Sequence, residues 1–200
     1  NDGIKNCIIE DCIAVNPWTG TSEGLSVFVI APQINSGPND IVKNVDASCI
    51  VRNNYINLNP GFLTGEGYSH GITAPVIENN YCEGIQRGVY FDTHHYKDVI
   101  IRNNTFKNVL YGIDFNLNGS SYKYDKVIIE NNLIELPSDK YAYSYYGIRL
   151  MGKGTLPPST YNQVYIAGNK VTTVTGFMDP NVYYGNIYTS DACNIVLRNN

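Results

Sequence analysis

Seven times along the chain, two or three apolar residues run into a polar pair that is usually Asn-Asn. The clearest copies are Pro75-Val76-Ile77-Glu78-Asn79-Asn80, Val99-Ile100-Ile101-Arg102-Asn103-Asn104 and Val127-Ile128-Ile129-Glu130-Asn131-Asn132. The others run over Cys7–Cys12, Cys49–Asn54, Val164–Asn169 and Ile195–Asn200. Within a copy the side chains alternate with the period of a strand that buries one face. Val99 and Ile101 then point inward, Ile100 and Arg102 outward. After each polar pair a second short apolar run begins.

The second member of each pair falls at 12, 54, 80, 104, 132, 169 and 200. The closest copies are 26 residues (54 to 80), 24 residues (80 to 104) and 28 residues (104 to 132) apart. That is too short for a βαβ unit, and no helical periodicity fills the gaps. The repeat fits one turn of a parallel β-helix, three short strands joined by three corners. Stacked turns place Ile9, Val51, Ile77, Ile101, Ile129, Ile166 and Leu197 in one interior column. Ala14, Ile56, Cys82, Phe106, Ile134 and Val171 make a second.

The first polar position holds Asp, Asn or Gly, residues that tolerate the left-handed backbone of a tight corner. The second is Asn in six copies and Cys12 in one, and reads as an inward Asn ladder. Glu10, Arg52, Glu78, Arg102, Glu130, Ala167 and Arg198 form an outer column whose signs alternate as far as Ala167, which disfavours a slipped register. Beside it Ile8, Ile50, Val76, Ile100, Ile128, Tyr165 and Val196 form an outer apolar stripe. A loop, another domain or a partner subunit is expected to cover it.

On these motifs, from Cys7 to Asn200, the chain resembles the right-handed parallel β-helix proteins of the pectin-lyase-like superfamily. The expected fold is therefore all-β, a single-domain right-handed parallel β-helix of about seven rungs with an Asn ladder, spanning residues 1–200. The repeat stops within a turn at Asn199-Asn200, so the expectation is a segment of a longer protein. The resemblance implies an extracellular or cell-surface protein that handles polysaccharide: a lyase, an inverting glycosidase, or a non-catalytic tailspike, adhesin or spacer segment.

Composition narrows the partners. A net charge of -4 without a Lys/Arg cluster argues against nucleic acid. No apolar run reaches the roughly 20 residues of a membrane helix, and no secretory signal stands at Asn1. The open coil ends call for a homo-oligomer or flanking domains. Five cysteines, Cys7, Cys12, Cys49, Cys82 and Cys193, lack zinc spacing and read as buried thiols. Cys7 and Cys49 share a repeat position one turn apart, so a bridge between them is the alternative.

A second motif precedes most turns: Gly, an inward apolar residue, an outward variable one and another apolar one. Gly88-Val89-Tyr90-Phe91-Asp92, Gly112-Ile113-Asp114-Phe115-Asn116 and Gly147-Ile148-Arg149-Leu150-Met151 are the clearest copies. Gly24-Leu25-Ser26-Val27 is a further candidate, while Gly61 or Gly71, and Gly176 or Gly185, admit two registers each. By analogy with the superfamily this strand floors a substrate groove. Tyr90, Asp114 and Arg149 form one outward column, and Asp92, Asn116 and Met151 the next. Loops add His94, His95 and Tyr143, with Tyr145 and Tyr146 before Arg149. Aromatic faces beside carboxylates and an Arg suit a sugar chain.

Catalysis would fall to Asp92, Asp114, Arg149 and Tyr90, and substrate binding to His94, His95, Asn116, Tyr143, Tyr145 and Tyr146. Asp92 and Asp114 on adjacent turns would lie about 8 Å apart, within the inverting-glycosidase range. The competing reading makes Asp114 and Arg149 an exposed ion pair. Ser69-His70-Gly71 resembles part of the Gly-His-Gly signature of β-helix polygalacturonases, whose Asp-Asp pair is missing here. No metal set is read, and no cofactor is expected except Ca2+ if the reaction is that of a lyase.

Overall fold

The computed structural model describes residues 4–15, 25–30, 47–58, 69–91, 98–116, 124–137, 144–151, 161–173, 183–189 and 195–200. The first turn consists of β1 (Ile8–Glu10), β2 (Ile13–Val15) and β3 (Leu25–Val29). The second holds β4 (Ile50–Arg52), β5 (Tyr55–Asn57) and β6 (Ser69–Thr73), and the third β7 (Val76–Glu78), β8 (Tyr81–Glu83) and β9 (Arg87–Phe91). The fourth holds β10 (Asp98–Arg102), β11 (Thr105–Lys107) and β12 (Tyr111–Asn116). The fifth holds β13 (Tyr124–Glu130), β14 (Leu133–Leu136) and β15 (Ser144–Met151). β16 (Tyr161–Ala167), β17 (Lys170–Thr173) and β18 (Tyr183–Thr189) complete the sixth, and β19 (Ile195–Arg198) opens a seventh.

Every third strand joins the same sheet. The first sheet runs β1-β4-β7-β10-β13-β16-β19, the second collects β2 to β17, and the third β3 to β18. All pairings are parallel. The chain is a parallel β-helix. Its register matches the columns expected from the repeat: Ile101 faces Ile77 and Ile129, and Phe106 faces Cys82 and Ile134. Val51, Ile77, Ile101, Ile129 and Ile166 are fully buried. Each such side chain contributes about 1.5–3 kcal/mol relative to exposure. The column thins at its ends, where Ile9 is half-buried and Leu197 is 56% exposed.

The corner between the first and second sheets repeats in every turn. Asp11, Asn53, Asn79, Asn103, Asn131 and Asn199 have φ between 51° and 57°, and Gly168 has 62°. The next residue turns inward. In the ladder Asn54, Asn80, Asn104, Asn132, Asn169 and Asn200, each Nδ2 donates to the Oδ1 of the following Asn at 2.9–3.0 Å. Each backbone N–H donates to the same oxygen, and each Nδ2 also reaches a strand carbonyl of the preceding turn. Cys12 ends the ladder. Its N–H donates to Asn54 Oδ1, and its thiol donates to Glu10 O.

The outer column pairs in twos at 2.7 Å, Arg52 with Glu10 and Arg102 with Glu78. The outer apolar stripe is covered at Val76, 6% exposed, but open at Ile8 (49%) and Val196 (42%). Near its far end Ile128, Tyr165 and Val196, with Lys126 and Gln163, line a groove of about 500 Å³.

The third sheet carries the Gly motif. Gly71, Gly88, Gly112 and Gly147 stack because there is no room for a Cβ. At Gly112 it would lie 2.6 Å from Gly147 O and 2.7 Å from Ile134 Cγ2. Gly71 is therefore the residue in register. Gly24 lies outside the described residues; β3 aligns Ser26 with His70 and Phe28 with Ile72, so Val27 stands opposite Gly71. Gly185 pairs with Tyr146, one residue short of the column, so Asn186 takes the Gly place.

Asn104→Leu removes three donor contacts and two accepted ones from a buried corner. It should lower stability by about 1–3 kcal/mol, read as the urea midpoint. An unchanged midpoint would contradict the ladder.

Candidate functional site

In β6, β9, β12 and β15, Gly and the apolar residue after it both face the core. The residues on either side of this pair therefore face outward. The inward positions Ile72, Val89, Ile113 and Ile148 are fully buried. One outer column is His70, Arg87, Tyr111 and Tyr146. The next holds Tyr90, Asp114, Arg149 and Tyr188, in the register expected for the first three.

Asp114 is the hub. Its Oδ2 accepts from Arg87 Nε at 2.9 Å and from Arg149 Nη2 at 2.8 Å. Its Oδ1 accepts from Arg149 Nε at 2.8 Å. The expected pairing with Arg149 is present, but it is not exposed. Asp114 has no solvent-accessible surface, and the side chains of Arg87 and Arg149 are 10% and 14% accessible. Among the described residues, two arginines thus share one carboxylate.

Aromatic rings hold the guanidinium groups. Arg87 lies over Tyr90 (4.6 Å to the centroid) and Tyr111 (5.4 Å). Arg149 lies over Tyr111 (4.4 Å) and Tyr146 (5.7 Å). Tyr111 stacks on Tyr146, which meets Tyr188. At the other end His70 packs on Tyr90 at 4.0 Å, and its Nε2 lies 3.0 Å from Arg87 Nη1. A guanidinium only donates, so in this contact the ring nitrogen is the acceptor.

Burial, the largest influence on Arg149, pulls its pKa down. The hydrogen bond and charge of Asp114, with smaller contributions from Tyr111 and Tyr146, outweigh it and hold the guanidinium above its ordinary value. Arg149 is thereby held as a cation.

Of the other residues expected at the site, Tyr90 and Tyr146 stand within the cluster. Asn116 is half-buried beside it, Nδ2 donating to Tyr90 Oη at 3.5 Å. Tyr145 does not face the site. It alternates with Tyr146, turns inward and is fully buried in the core. Asp92, His94, His95 and Tyr143 lie outside the described residues. His70, Arg87 and Tyr111 belong to the cluster without having been selected as site residues from the sequence. One signal marks them all: each immediately precedes a column Gly, as Tyr146 does. Among the described residues no group of three or more His, Cys, Asp or Glu could hold a metal.

No protein-family model matches the chain, and neither a curated protein nor a solved structure matches it.

Asp114→Asn would remove the buried carboxylate charge that Arg87 and Arg149 both contact. The expected loss is about 3–5 kcal/mol, read from denaturant unfolding. A shift no larger than that of an exposed Asp, such as Asp125→Asn, would show that the cluster does not depend on its carboxylate.

Proposed function

We propose that the outer face of the third sheet binds an extended acidic polysaccharide, and that this chain serves there as a recognition surface. The observation that carries the reading is the state of Asp114. Its carboxylate is fully covered and accepts three guanidinium hydrogen bonds, so it is spent on holding arginines. A general acid or base must reach the substrate, and Asp114 has no surface to do so.

What remains accessible suits a sugar acid. Arg149 uses Nε and Nη2 on Asp114, and among the described residues its Nη1 makes no hydrogen bond. A guanidinium in this state matches a carboxylate. Tyr146 and Tyr188, 39% exposed, continue the surface along the coil and offer apolar faces to sugar rings. The β-helix stack and the resemblance to the pectin-lyase-like superfamily support a polymer lying along the coil. Such a protein would work outside the cell or on its surface.

The expected result in affinity electrophoresis is retardation by a polyuronate and not by a neutral polymer. Arg149→Ala and Tyr146→Ala should each weaken binding by roughly tenfold or more. Circular dichroism would verify the fold, and polymer length should be unchanged. New unsaturated ends would support a lyase instead, and new reducing ends without unsaturation an inverting hydrolase. Equal retardation by neutral and acidic polymers would remove the role given to Arg149.

A further inference from the structure

We infer that Cys7 and Cys49 are a redox pair whose disulfide ties the first turn of the coil to the second. Both are thiols in the structure. They stand immediately before the registered residues Ile8 and Ile50, and Ile50 N–H donates to Cys7 O at 2.8 Å. Neighbouring parallel strands lie about 4.8 Å apart, within the Cα separation that a disulfide spans.

The two side chains also point the same way. Their positions head the inward column that continues through Val99, Val127, Val164 and Ile195. Both pack on the core, Cys49 fully buried and Cys7 half-buried. The other described thiols have no such neighbour. Cys12 is in the corner and donates to Glu10 O. Cys82 lies in the interior between Ile56 and Phe106, where burial pushes its thiol pKa up.

The accessibilities set an order of events. With glutathione disulfide as oxidant, the Cys7 thiolate attacks one glutathione sulfur and expels a glutathione thiolate. Cys49 then attacks the Cys7 sulfur of the mixed disulfide and expels the second. One S–S bond is broken and one formed overall. The protein loses two electrons and two protons, and the oxidant becomes two reduced glutathiones.

The linkage joins the first turn, which carries several exposed apolar side chains, to the second. The first turn leaves Ile8, Ile13 and Val15 49%, 74% and 55% exposed. A covalent tie to the second turn restricts the unfolded chain and holds the two turns together. An oxidising compartment would favour it.

The test equilibrates the full chain with glutathione disulfide, then digests it without reduction for peptide mapping. A Cys7–Cys49 linked peptide is expected, with a mass loss of about 2 Da. The thermal midpoint should rise, and dithiothreitol should reverse the rise. Cys12→Ser should keep this behaviour, while Cys7→Ser and Cys49→Ser should lose it. Both thiols remaining free, or linkage through Cys12 or Cys193 instead, would overturn the inference. If either pair variant fails to fold, the wild-type peptide map decides alone.

Discussion

The architecture depends on one side-chain interaction, the amide ladder that runs through the corner between the first and second sheets. Each Asn Oδ1 accepts both the backbone N–H and the Nδ2 of the Asn one turn earlier. A slip of one residue would turn the amide outward and leave buried corner groups unpaired. Such groups are costly without a partner. The ladder therefore fixes the register of neighbouring turns to the residue. It does so although the chain between consecutive members ranges from 24 residues (Asn80 to Asn104) to 42 (Cys12 to Asn54). This corner keeps two residues throughout, and the variation in length falls in the connections around the third sheet.

The candidate site inherits that register. Asp114 opposes Arg149 and Tyr90 because the turns are aligned elsewhere. Burying an ion pair is seldom favourable by itself, since desolvation offsets the attraction. Here the cost is reduced by three charge-assisted hydrogen bonds and by tyrosine faces against both guanidinium groups. The cluster holds long, flexible arginine side chains in fixed poses. Two guanidinium groups are thereby set on one face of a chain with net charge -4. Fixed cations between aromatic rings leave little ordering to be done, as the proposed binding of an acidic ligand would require.

Most of the fold was legible because its signals are local and repeated. Alternation gave the interior columns, and the Asn pairs gave corners whose left-handed φ at Asn53, Asn79, Asn103 and Asn131 follows from residue type. The site was legible in part. The column Tyr90, Asp114, Arg149 follows from the Gly motif, but the burial of Asp114 does not. That burial depends on Arg87 reaching across from the preceding turn, which no single-turn pattern reports. Tyr145 was misread because loop length hid where β15 begins, and a shift of one residue exchanges inside for outside. In β3 the column position falls on Val27 instead of a glycine. A glycine marks the column only where a neighbouring carbonyl and an interior side chain leave no space, and sequence shows the glycine but not the space.

Native-state hydrogen exchange at the backbone amides of Asn80, Asn104 and Asn132 tests the central claim most directly. These amides sit in two-residue corners, where exchange is ordinarily fast, yet each donates to a buried side-chain oxygen of the next turn. They should exchange with the slowest class, at the same opening free energy as the interior strand amides of Ile101 and Ile129. Exchange at the rate of open turns, with the strands still protected, would contradict the account.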